Sequence, residues 1–275
     1  MRARGSLRGA IGGEAIKMAR RPAVYSLTLI LLAVLVVLIY LVQWFIRAEP
    51  KTAFYPANMV RQALSVTPVL GSALALTLGA LAVGSEYNWG TFKTLLTQRP
   101  ARGQVFLAKA IVLALTLAVL AVLNLAAAAA VSAALAFAMH QPLRFPAPSQ
   151  VLASAGVCWL IWNWYAAFGG FLGYLFRQSA LAIGIGLAYV LVVETLIFGI
   201  LARAGTGRPG SLVTTVEKFF PGPNAQALVN SFGSPAPGQL VKPLVGPGQA
   251  SLVLAGYFLV ALIFAASVLR RRDVT

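Results

Sequence analysis

Charged and hydrogen-bonding side chains are scarce in this chain, so their positions carry most of its chemistry. Among 275 residues there are 22 Lys and Arg, 6 Asp and Glu, one His and one Cys. Residues 85–109, SEYNWGTFKTLLTQRPARGQVFLAK, set Glu86, Tyr87, Trp89, Lys93, Arg99, Arg102 and Lys109 as an island between two strongly apolar runs. A single acid, Glu194, falls well inside an apolar run, and Asn124 stands beside the alanine run 126–130. Nucleophilic, acid–base or metal-assisted catalysis requires several such groups to converge. His140, Cys158 and one deep carboxyl do not make that set, so an enzyme is disfavoured and no metal site is expected. A lone cysteine also excludes an intrachain disulfide, and a packing role is expected for it.

The elements that hold these groups follow from composition. The chain is 59% hydrophobic and only 10% charged, with a mean hydropathy of +0.83, whereas soluble domains carry about 25% charged residues. Apolar runs near the ~20 residues that cross a bilayer occur at 23–45, 64–83, 105–139, 151–176, 180–201 and 251–269. The expected fold is therefore an all-α membrane protein of six helices. Continuous apolar runs, rather than alternating segments of about ten residues, argue against a β-barrel. The run at 23–45 exceeds a signal-peptide core and lacks a small-residue cleavage site after it, so it reads as a retained anchor.

A net charge of +16 would suggest nucleic acid in a soluble protein; here its placement speaks for topology instead, and no nucleic-acid partner is expected. With six alternating helices, the basic leader, the island, Arg177 and the cluster Arg270, Arg271 and Arg272 fall on one side. The positive-inside rule makes that side the cytoplasm and both termini cytoplasmic. Residues 1–22 form a basic leader in which Leu7, Ile11, Ala15 and Met18 share a helical stripe suited to a membrane surface, with Glu14 intruding on it. The long segment 202–250 holds two short apolar-patterned pieces, 211–220 and 224–232, separated by Pro221, Gly222 and Pro223, which break a continuous helix. External or partly re-entrant helices capping the bundle are expected there.

Within the island, Tyr87 and Trp89 suit a membrane boundary. Gly90 bends the chain, Phe92, Leu95 and Leu96 repeat at helical spacing, and Pro100 closes that short helix after Arg99. The third run would rise about 50 Å as one helix, more than the bilayer needs, so its start projects beyond the membrane. A short amphipathic helix held transverse beneath two spans has the form of a lever.

Other polar and small residues admit two readings each. A carboxyl such as Glu194 normally faces a bundle interior or cavity, and both a substrate- or proton-facing role and a structural hydrogen bond are open. Asn124 reads as helix–helix glue more readily than as a ligand. Gly169 and Gly173 form a G-x-x-x-G pair for close packing between or within protomers. Trp159, Trp162 and Trp164 read as interface anchors at one end of the fourth run.

Glu86-Tyr87, Gly90-Thr91, Leu95-Leu96, Pro100, Arg102 and Lys109 resemble the pattern between the second and third membrane helices of type-2 ATP-binding-cassette (ABC) permeases, especially the bacterial multidrug and antibiotic-export branch. The helix count, basic leader, terminus placement and long fifth-to-sixth external loop are similar over nearly the whole chain. The resemblance implies one permease domain over 1–275, an elbow helix within 1–22, a coupling loop at 84–104 and external helices above a translocation path. It implies that residues 86–102 seat on a separate ABC ATPase subunit, with Glu86 as the coupling anchor and Arg99 and Arg102 as charge partners to that subunit. Alternatively, Glu86 pairs with Lys93 or Arg102 inside the loop. A second permease protomer, in a homodimer, and a bacterial inner-membrane location are implied as well. ATP and Mg would bind in the partner: the sequence contains no G-x-x-x-x-G-K-[ST] phosphate loop. An exporter of hydrophobic or amphipathic compounds is the leading expectation; an ion-coupled carrier or channel using Glu194, or a membrane anchor for a regulatory ATPase complex, are the alternatives.

Overall fold

A computed structural model describes residues 7–46, 51–88, 102–197, 200, 215–216, 218–233 and 245–271. Those residues are mostly helical, without strands. The leader forms α1 (Leu7–Ala19). Then α2 (Pro22–Val34) opens on a proline at its first position, where the missing N–H costs nothing. It continues as a π-helical stretch, Leu35–Val42. After two short 3-10 turns come α3 (Met59–Ser65), a π-helical turn over Thr67–Gly71, and α4 (Ser72–Asn88). The long α5 (Arg102–Ala138) is followed by α6 (Pro148–Phe176) and α7 (Ser179–Ala188), which runs on as a π-helical stretch, Tyr189–Ile197. Last come α8 (Pro221–Asn230) and α9 (Pro247–Arg271).

Five helical stretches are long and apolar enough to cross a membrane: Pro22–Val42, Thr67–Tyr87, Gly103–Ala138, Pro148–Phe176 and Pro247–Arg270. The expected run 180–201 is described only in part. Its apolar helix among the described residues, Ser179–Glu194, is shorter than these five. The helix runs on in π geometry from Tyr189 to Ile197, and most of the rest of that run lies outside the described residues. The third run forms one helix of 37 residues, a rise of roughly 55 Å.

Two residues with left-handed backbone end helices. His140 (φ 51°) closes α5, where its N–H reaches Phe137 O and the Gln141 N–H reaches Ala136 O. Arg177 (φ 55°) closes α6 and donates its N–H to Gly173 O. His is among the residues that tolerate this conformation, which accounts for His140 without any chemical role.

The packing seam between α4 and α6 is built from glycines on both helices. A Cβ at Gly79 would run into the Ala166 carbonyl, and one at Gly169 into the Leu76 carbonyl. At Gly173 it would lie 3.1 Å from Val83 Cβ. Gly169 and Gly173 thus bring two backbones of the same chain together, the small-residue route to helix association in lipid. Trp162 and Trp164 lie at the middle of α6 and are buried in the core, not gathered at one end as interface anchors. Trp162 fits over Gly71, where a Cβ would collide with its indole, and donates to Thr67 O at 3.4 Å. Trp159 is the more exposed of the three and donates to Ala114 O at 2.9 Å.

Candidate functional site

Glu86 stands near the end of α4 and Lys109 in the second turn of α5, the two helices between which residues 89–101 run. The leader helix α1 packs against α5, with Ile11 and Met18 against Ala82 and Val112. Ala15, expected in that stripe, points outward. Glu14 takes its place, because the surface it meets carries Lys109.

Four charges close into a ring there. Lys109 Nζ lies 2.6 Å from Glu86 Oε1 and 2.8 Å from Glu14 Oε2. Lys17 Nζ lies 2.7 Å from Glu14 Oε1 and 3.1 Å from Glu86 Oε1. The charges alternate and sum to zero. Glu86 and Lys109 have side chains 4% and 6% exposed, Glu14 11% and Lys17 40%. Arg21, just after α1, donates to the Leu81 carbonyl at 2.7 Å and ties the leader to α4 a second time.

Charges this well buried persist only when paired and hydrogen-bonded. Burial pushes the Glu14 carboxyl up, but Lys109 and Lys17 outweigh it and hold the group below its usual range. For Lys17, burial pushes down, and Glu14 and Glu86 outweigh it to hold the ammonium above its usual range. Both shifts favour the charged forms. The ring therefore acts as an electrostatic rivet joining three helices.

Of the residues expected in the island, Glu86 and Lys109 meet in this ring. Glu86 is partnered by lysines of α1 and α5, where the sequence suggested Lys93 or Arg102. Tyr87 packs with Val83, Tyr174 and Leu269, joining the end of α4 to α6 and α9. Arg102 begins α5, and its side chain lies outside the described residues. Trp89, Gly90, Thr91, Lys93, Leu95, Leu96, Arg99 and Pro100 also lie outside them. Sequence reasoning missed Glu14 and Lys17; the acid interrupting an apolar stripe was the available signal.

A second polar centre lies elsewhere in the bundle. Glu194, 8% exposed, sits in the π-helical stretch after α7. It accepts a hydrogen bond from the Tyr165 hydroxyl at 2.5 Å through Oε2. The Tyr189 hydroxyl and the Gly222 backbone amide also face it. No Lys or Arg among the described residues pairs with it. Asn124, fully buried, donates to the Ala63 carbonyl at 2.9 Å and so joins α5 to α3. Cys158 is buried beside the Thr67 hydroxyl, 3.4 Å away. Among the described residues, no group of His, Cys, Asp and Glu could hold a metal ion.

Five apolar helices of spanning length define a multi-pass helical membrane protein, and the charge ring marks where the leader is fixed to it. Residues 50–275 match the model of the family described as "Protein of unknown function (DUF2705)", and the chain belongs to that family. No curated protein matches the chain.

Proposed function

We propose that this chain is the membrane permease subunit of an ATP-driven exporter, coupled to a separate ABC ATPase through residues 84–104. The observation that carries this reading is the ring of Glu14, Lys17, Glu86 and Lys109, because it fixes both roots of the intervening segment to a third helix. A loop anchored in this way transmits displacement to α4 and α5 instead of absorbing it. Two such chains form a homodimeric path in the bacterial inner membrane, with both termini cytoplasmic. ATP and Mg bind in the ATPase. Closure of two ATPase subunits pushes on both loops, tilts α4 and α5, and exchanges inward for outward access to a central path. Coupling of this kind requires a two-state element that nucleotide binding biases; α1, α4 and α5, riveted together, are that element. The cargo is a hydrophobic or amphipathic compound, in keeping with the scarcity of charge inside the spans.

The test is purification from detergent together with the products of neighbouring genes, followed by ATPase assay of the assembly. Recovery of a stoichiometric ATPase, lost when residues 86–102 are replaced, is the expected result. A chain that purifies as a self-sufficient oligomer without an ATPase overturns it. The buried Glu194 then favours the second reading, an ion-coupled carrier or channel.

A further inference from the structure

Glu194 is a buried acid with no Lys or Arg beside it among the described residues. One oxygen, Oε2, accepts from Tyr165; the other, Oε1, is buried without a hydrogen-bond partner among the described residues. Removing a carboxylate from water costs several kcal/mol unless something positive replaces the lost hydration. Among the described residues, what faces it is the N-terminus of α8.

That helix begins Pro221-Gly222-Pro223, and prolines carry no N–H. The Gly222 amide is thus the single donor in the first three helical positions, and it faces Glu194. Phe220, the residue before the helix, supplies no side-chain cap. A Cβ at position 222 would stand 2.9 Å from Glu194 Cβ and 3.2 Å from its Oε2, so only glycine fits. A helix N-terminus is equivalent to roughly half a positive charge. The end of α8 therefore occupies the position of a cation at fractional strength.

The surroundings specify what a full replacement would be. Trp164 lies with its ring 5.9 Å from Tyr165, 5.4 Å from Phe168 and 5.0 Å from Tyr257, and Phe168 lies 5.2 Å from Tyr189. Three elements, α6, the π-helical stretch and α9, thereby contribute an aromatic wall continuous with the carboxyl through Tyr165 and Tyr189. A hard metal ion would need several oxygen ligands, which are not gathered here among the described residues. An aromatic cluster joined to one carboxyl through Tyr165 and Tyr189 suits an organic cation.

We propose that Glu194 is the anionic floor of an occluded binding site for a lipophilic organic cation, and that α8 is a self-ligand filling the site until the cation displaces it. The proposal rests on the export reading for its purpose, since it names the class of cargo. Binding itself needs no ATPase.

The experiment uses the full chain in lipid nanodiscs, with tetraphenylphosphonium as probe and neutral triphenylphosphine oxide as control, in equilibrium dialysis. Wild type binds the cation. E194Q loses at least about tenfold in affinity for the cation and none for the neutral control, and E194D retains most of it. Y257L, a change at a half-buried ring, weakens cation binding about three- to tenfold. Absence of cation binding by wild type overturns the proposal, as does equal binding by E194Q. If E194Q does not fold, Y257L decides, and unchanged binding by that variant overturns it. ATPase recovery is scored separately on each preparation. Cation binding lost with ATPase recovered removes the site and keeps the permease; the reverse result removes the permease and keeps the site.

Discussion

Glu86 and Glu194 are both buried acids, yet they are held in opposite ways. Glu86 sits against two lysines in a ring whose charges cancel. Glu194 has hydroxyl and amide donors and no cation among the described residues. The first arrangement is suited to staying put, because removing its buried lysine leaves the acids short of a counter-charge. The second is suited to exchange, because its partners are dipoles that a true cation can outbid. One chain thus uses the same functional group as a fastening and as an open valence.

The largest effect expected from breaking this contrast is at Lys109. K109M leaves Glu86 and Glu14 sharing only the more exposed Lys17 and should destabilise the bundle by about 3–5 kcal/mol, read as a shifted midpoint in detergent unfolding. On the permease reading proposed above, it should also abolish stimulation of the partner ATPase. E86Q keeps the shape and removes one charge; it should leave assembly intact while lowering transport-linked ATPase activity. Unchanged stimulation by E86Q would falsify the role of Glu86 in coupling.

Acid should open the ring selectively. The Glu14 carboxyl is held below its unfolded range, so its contribution is present above the ordinary value of about 4.3 and is lost as pH falls through the folded value. Hydrogen exchange of residues 7–19 should accelerate below about pH 4, ahead of exchange in α6. Lys17 has the opposite sign, contributing fully below about pH 10.4 and losing its part as pH rises through its raised value.

At Glu194 the stability effect should be smaller than at Lys109. E194Q strands no cation and keeps an acceptor for Tyr165, so a change within about 1–2 kcal/mol is expected, in the same unfolding assay. A loss as large as that of K109M would erase the distinction between the two acids. K17A should do least, about 0–1 kcal/mol, because this member of the ring is the most exposed.

The spans were legible because continuous apolar runs have a length criterion, and all five long helices match runs read from sequence to within about four residues at each end. The fold beyond that depends on rotation and contact, which apolar runs encode poorly. Glu14 lies 95 residues from Lys109, and nothing local to either names the other. Pro221, Gly222 and Pro223 read as a helix break because proline is usually that; in place they are the first turn of α8. The tryptophans of α6 read as interface anchors, whereas Gly71 opens a slot that draws Trp162 into the core. Glu194 was visible as an isolated acid, but its aromatic neighbours come from helices far apart in sequence.

The π-helical stretch around Glu194 has a consequence for movement. Such a stretch closes its hydrogen bonds one residue farther along than an α-helix does. A slip of one residue back to α register turns everything beyond it by about 100°. Helix α7 could therefore stay docked while its continuation rotates like the bit of a key, carrying the carboxyl of Glu194 from Tyr165 toward another face of the bundle. Such a turn would need no helix to unfold and no span to tilt.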